Sequence, residues 1–185
     1  MTKHKDTILV ITPHPDDAEF GVAGSVVNWV AQGHTVVYAV CTNGDKGSND
    51  PEMTSERLAR IREEEQLAAA RLLGVKEVIF LGHPDGYLEY RPEFRGELVQ
   101  LIRKYRPGIV VTADPYRKYI WHPDHRVTGR TVLDAVFPFA RDRLSYPEHL
   151  EEGLKPHKVK EVYLWASDEP DLFLDITDTF ETKWA

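Results

Sequence analysis

Two tetrapeptides, His14-Pro15-Asp16-Asp17 and His122-Pro123-Asp124-His125, each gather imidazoles and carboxylates, the side chains that bind a borderline metal such as zinc. The first follows the apolar run Ile8-Leu9-Val10-Ile11 and leads into sequence of helical period. Neighbouring residues of a turn project in different directions, so Asp16 and Asp17 are expected to make different contacts, while His14 and Asp17 can converge across one turn. One carboxylate can then bind metal while the other faces an open coordination position, giving a ligand and a general base from one segment. In the second cluster His122 and His125 are spaced i, i+3, and with Pro123 in the first helical turn they share a face at its start. One of the two can complete a His-Asp-His triad and leave the other as an acid or oxyanion partner. The competing reading is structural: Asp16 as a helix N-cap with Glu19 completing a capping box, Pro15 as a turn former, and the histidines as a surface pair.

A split site needs a fold that brings its halves together. Apolar runs of strand length alternate with segments of helical period, the mark of βαβ units and a parallel sheet. Strands are expected over Thr7 to Thr12, Thr35 to Thr42, Glu77 to Gly82, Ile109 to Ala113 and Glu161 to Ala166. Helices are expected over Ala18 to Gln32, Ser55 to Leu73, Glu93 to Tyr105 and Arg126 to Phe139. The second helix carries an apolar stripe of Leu58, Ile61, Leu67, Ala68 and Leu72, with Gly74 as its stop and the charged run from Arg60 to Glu65 as a solvated face. The fold class is α/β, a Rossmann-like doubly wound, mostly parallel sheet with helices on both faces. In the order 3-2-1-4-5, the first and fourth strands are adjacent and their carboxyl ends open onto one crevice. Both clusters then face it.

Loops after the second, third and fourth strands should rim the same crevice, which makes Arg57, Asp85 and Tyr116 candidate substrate contacts. The polar loop from Asn43 to Pro51 suits a mobile rim, and His83-Pro84-Asp85-Gly86 reads as a turn. Gly21 and Gly24 do not form a G-x-G-x-x-G between strand and helix, so they are expected to serve close helix packing rather than a dinucleotide.

The 185 residues suit a single α/β domain, residues 1–185. Lys plus Arg number 23 and Asp plus Glu 30, and the formal charge of -7 argues against nucleic acid or an anionic membrane as partner. The apolar stretches are strand-sized, and the start from Met1 to Asp6 lacks a signal-peptide core, so the expected compartment is the cytoplasm, without a membrane span. The single cysteine, Cys41, lies in an apolar run and reads as a small buried residue. Near the end, Asp178 and Glu181 resemble a capping box, and Phe180 with Trp184 begins an amphipathic face that stops at Ala185. The chain is therefore read as a shortened form that lacks its C-terminal helix or tail.

With both clusters in view, the chain resembles the LmbE-like (PIG-L) family of zinc-dependent N-deacetylases, whose motifs are His-Pro-Asp-Asp after the first strand and a later His-x-x-His. The similarity extends to Arg62 with Glu65, Ala69-Ala70, Leu73-Gly74 and Asp85-Gly86. It departs where Ala18, rather than Glu, follows the paired aspartates. The resemblance implies one zinc per chain held by His14, Asp17 and His125, with Asp16 as general base. It also implies His122 as oxyanion-stabilising or acid histidine and Asp124 as the group that orients it. The implied reaction removes the N-acetyl group from an N-acetylglucosamine-type amino sugar or conjugate. An amidase of a thiol-sugar conjugate and a non-catalytic carbohydrate- or nucleotide-binding module are the alternatives, and homo-oligomerisation is left open.

Overall fold

The strands β1 (Thr7–Thr12) and β2 (Thr35–Thr42) are buried along nearly their whole length, as runs of apolar and β-branched residues must be when helices cover both faces of a parallel sheet. With β3 (Glu77–His83), β4 (Ile109–Ala113) and β5 (Glu161–Trp165) they form one five-stranded sheet in the order β3-β2-β1-β4-β5, every neighbouring pair parallel. This computed structural model describes residues 5–184. The first four residues of the chain start and Ala185 at the end of the C-terminal face lie outside the described residues.

Strand residues alternate between two cores. Ile8, Val10, Val36, Tyr38 and Val111 pack against Val22, Ala23 and Val26 of α1 (Asp17–Ala31) and Leu73 of α2 (Ser55–Leu73). Leu9, Ile11, Val37, Ala39 and Cys41 pack against Leu98 and Ile102 of α3 (Pro92–Tyr105) and Val132 of α4 (Pro123–Asp134). Cys41 is a fully buried free thiol whose pKa burial pushes up, in keeping with a packing role. Gly21 and Gly24 let α1 approach closely: a Cβ on either would stand 2.8 Å from Trp165 of β5 or Ile176, respectively.

Three expectations are corrected. The inward face of α2 is Gln66, Ala70 and Leu73, whereas Leu72 is 56% exposed and Ala68 also faces solvent. Polar Gln66 points inward because a polar loop, not a greasy sheet surface, lies beneath that part of the helix, and Arg62 of the supposed solvated run is half-buried beside it. The fourth helix begins at Pro123, with His122 as its N-cap, and ends at Asp134 instead of reaching Phe139. Beyond it Ala135–Phe139 forms an irregular turn with Phe137 in extended backbone, as expected for the residue before Pro138. At the chain end Asp178 lies inside a 3-10 turn, Thr177–Thr179, and Asp175 accepts from the Thr177 amide, so the expected capping box is absent. The short helix α5 (Phe180–Trp184) follows.

Candidate metal centre

The sheet reverses its strand order between the parallel neighbours β1 and β4, and the segments that follow their carboxyl ends carry the two His-Pro-Asp clusters. The structure brings them together. Ring centroids of His14 lie 4.5 Å from His122 and 5.2 Å from His125. Asp17, in the first turn of α1, has Oδ2 3.1 Å from His14 Nδ1 and Oδ1 3.3 Å from His125 Nε2. The His14 backbone N–H also donates to Asp17 Oδ2 at 2.9 Å, which closes the turn His14-Pro15-Asp16-Asp17. One donor atom from each of His14, Asp17 and His125 lies within 4.8 Å of the others.

On the other side of the His14 ring, Nε2 stands 3.1 Å from Asp85 Oδ1 and 3.2 Å from Asp124 Oδ2. A buried imidazole thus meets three carboxylates. Burial opposes its charge, but hydrogen bonds to Asp124 and Asp17 and the field of Asp17 and Asp85 raise its pKa to about 10. So concentrated a negative field calls for a cation. His125 is the complement: burial pushes its pKa down, so it offers a neutral ring with a free lone pair. Two imidazoles and one carboxylate leave a coordination position open, and this donor set fits zinc.

A second donor set, His14, Asp85, His122 and Asp124, overlaps the first. Its members are already engaged. Asp124 is wholly buried and accepts from Gly86 N at 2.7 Å and Leu88 N at 3.2 Å. Its carboxylate therefore faces His14 and the loop after β3, not the His122 ring that it was expected to orient. His122 meets Asp124 through the backbone instead: its Nδ1 accepts from Asp124 N at 3.3 Å, as the cap of α4. That leaves Nε2 to carry the ring proton, 3.7 Å from Asp85 Oδ1.

Asp16 is not a side-chain cap. Its backbone is left-handed, with φ 86°, and its carboxylate turns to Arg62 Nη2 at 2.9 Å. A non-glycine residue in that region carries roughly 1–2 kcal/mol of strain. Burial raises its pKa, which the Arg62 charge opposes. Glu19, the supposed capping partner, is held by Gln66 Nε2 at 2.9 Å.

Among the expected substrate contacts, Asp85 lies at the centre and pairs with both His14 and His122. Arg57 is exposed in the first turn of α2, where its N–H bonds Thr54 Oγ1, and Arg62 is the arginine that reaches the first cluster. Tyr116 is 75% exposed in the loop after β4, close in sequence to Tyr119 at 75% and Trp121 at 79%. The loop after β2 is anchored more firmly than a mobile rim: Asp45 is buried and accepts from Asp85 N at 3.0 Å. Arg62 and Gln66 are the residues whose contacts with the first cluster the helix pattern concealed. Their i, i+4 spacing, with a neutral amide amid charged neighbours, was the available signal.

A doubly wound parallel sheet with histidine and aspartate donors gathered at its switch point defines an α/β protein with a donor set that could hold a metal ion. The pattern of the PIG-L, or GlcNAc-PI de-N-acetylase, family matches residues 9–136, and the chain belongs to that family. It is 40% identical over 176 residues to the diacetylchitobiose deacetylase of Thermococcus kodakarensis, covering 95% of this chain and 66% of the relative. It is 35% identical over 141 residues to a probable N-acetyl-α-D-glucosaminyl L-malate deacetylase 2 of Bacillus anthracis, covering 72% of this chain and 61% of the relative. Among solved structures, the N,N'-diacetylchitobiose deacetylase of Pyrococcus horikoshii superposes with a TM-score of 0.93 at 35% identity, covering 96% of this chain and 67% of the other. The chain spans about two thirds or less of the length of these curated relatives. Among the described residues no helix is long and apolar enough to cross a membrane.

Proposed function

We propose that this protein is a zinc-dependent N-deacetylase that hydrolyses the acetamide of an N-acetylglucosamine-type sugar or conjugate. The observation that carries the reading is the meeting of His14, Asp17 and His125 at the ends of adjacent strands, with Asp16 beside them and outside the donor set. The names of the relatives, which act on diacetylchitobiose and on an N-acetylglucosaminyl malate, support the substrate class.

His14, Asp17 and His125 would hold the metal, and when bound zinc supplies a Lewis acid that polarises the acetyl carbonyl and acidifies water. Asp16 takes the proton of the attacking water and returns it to the nitrogen of the departing amine. The oxygen that gains negative charge during the attack is stabilised by the Nε2–H of His122. Asp85 faces that ring from the loop after β3 and helps hold it. Asp124 fixes the His14 ring through Nε2, a carboxylate–histidine pairing that orients a ligand and raises its basicity. The exposed aromatics Tyr116, Tyr119 and Trp121 supply ring faces suited to the apolar side of a sugar.

The test is acetate release from N-acetylglucosamine, N,N'-diacetylchitobiose and N-acetylglucosaminyl malate, with zinc supplied and with zinc chelated. Release that requires zinc on at least one of these sugars is expected. Stable zinc binding without acetate release from any of them would favour the binding-module reading.

A further inference from the structure

One peptide group in this molecule is gripped at both its ends from a neighbouring helix. The carbonyl oxygen of Pro15 accepts from Arg62 Nη2 at 2.8 Å, and the N–H of Asp16, in the same peptide plane, donates to Gln66 Oε1 at 2.9 Å. Arg62 and Gln66 stand one turn apart on α2, so a single helix face supplies both contacts. The same Arg62 Nη2 bonds Asp16 Oδ2 at 2.9 Å, which adds a hold on the carboxylate itself.

The amide of Gln66 has its own orienter. Its Nε2 donates to Glu19 Oε1 at 2.9 Å, which turns Oε1 toward the Asp16 N–H. Gln66 is 2% exposed and sits in a face of α2 where apolar packing would be the default. Strained backbone persists only where its surroundings over-determine it, and Asp16 is the residue held at φ 86°. The Asp16 carbonyl is held from the other side by the Phe20 N–H of α1 at 3.0 Å, so fixing the plane of the Pro15–Asp16 peptide completes the hold on that angle, and the angle with the Arg62 contact limits where the carboxylate points.

We propose that Gln66, together with Arg62, is a positioning residue for the general base: the two lock the Pro15–Asp16 peptide and thereby aim the Asp16 carboxylate at the open side of the metal centre. The inference rests on Asp16 being the base, as read above, and neither Gln66 nor Arg62 is required to touch substrate or metal.

The experiment compares zinc-loaded wild type with Gln66→Met, which keeps the side chain's bulk and removes both hydrogen bonds. A double variant, Gln66→Glu with Glu19→Gln, exchanges donor and acceptor and restores the pair. Crystal structures and steady-state kinetics are taken for all three. In Gln66→Met, Asp16 is expected to leave the left-handed region while His14, Asp17 and His125 keep their positions and zinc stays at one per chain. Its kcat should fall by about 100-fold with KM within about twofold, the size of loss that a misplacement of about 1 Å produces. The double variant should regain most of that loss. The proposal is overturned if Asp16 keeps its φ in Gln66→Met, or if kcat is unchanged, or if the loss comes with zinc loss and is not recovered by the double variant. Should the wild type release no acetate, the functional reading fails, and the backbone angle of Asp16 in Gln66→Met alone decides whether the clamp exists.

Discussion

Asp124 Oδ2 stands 3.2 Å from His14 Nε2, joining residues 110 positions apart at the point where the sheet reverses its order. The same carboxylate receives the amides of Gly86 and Leu88, so one wholly buried side chain ties the loops after β1, β3 and β4 together. Asp124→Asn keeps the shape but puts a donor where acceptors are needed. Zinc affinity is expected to fall about 10- to 100-fold, the usual effect of losing a ligand's outer partner. Titration with a zinc-competing chromophoric chelator measures it, and unchanged affinity would remove Asp124 from the support of His14.

Asp16 lies beside the donor set without belonging to it. Asp16→Ala should retain one zinc per chain and lose about 10²- to 10⁴-fold in kcat, the range for a positioned acid–base group. Metal analysis and acetate release on the same preparation separate the two effects. Zinc loss in this variant would make Asp16 a ligand, and normal turnover would remove it from the chemistry.

Gly21 and Trp165 bear on the site from behind. A Cβ at Gly21 would fall 2.8 Å from the Trp165 ring, whose centroid is 5.9 Å from that of His125. Gly21→Ala should therefore displace Trp165 and cost about 1–3 kcal/mol in stability through overpacking. Chemical denaturation reads the cost, and weaker zinc binding should accompany it because His125 leans on the displaced ring. A fully stable variant would mean that α1 can shift without consequence.

The pH dependence of stability has a sign that follows from His149. Burial pushes its pKa down, and Arg103, whose Nη1 lies 3.5 Å from His149 Nδ1, pushes the same way against Glu148 and Glu152. A histidine with a depressed folded pKa is stabilising while neutral in both states. That contribution is lost as pH falls below the unfolded value of about 6.5, where the unfolded chain takes up the proton first. His149→Phe keeps a ring to stack on Tyr146, 5.4 Å away, and removes the titration. Between pH 7.5 and 5.5 the Tm of wild type should drop relative to that of the variant. Parallel curves would show that His149 does not contribute.

Much of the fold was legible because the central strands are apolar runs rich in β-branched residues and of the right length, and α2 begins and ends on recognisable signals, Thr54 and Gly74. The meeting of His14 with the second cluster was deducible from strand order alone. What the linear pattern could not reveal is which side of a helix a polar residue faces. Arg62 read as part of a solvated face and Gln66 carried no signal of its own, because the segment they contact, Pro15-Asp16, becomes their neighbour only in the folded chain. The partner of Asp124 was misplaced for a related reason. Proximity in sequence favoured His122, but the first turn of α4 presents the backbone of Asp124 to that ring and sends the carboxylate toward His14. That the fourth helix would not run through to Phe139 was readable in Pro138, whose ring excludes Phe137 from helical backbone.

The central claim is that one metal ion sits among His14, Asp17 and His125, and anomalous scattering at the zinc absorption edge tests it most directly. Crystals of protein loaded with one equivalent of zinc should give a single strong anomalous peak bounded by His14, Asp17 Oδ1 or Oδ2, and His125 Nε2, with Asp16 outside bonding distance. A peak among His14, Asp85, His122 and Asp124, or no peak in the crevice, would contradict the account.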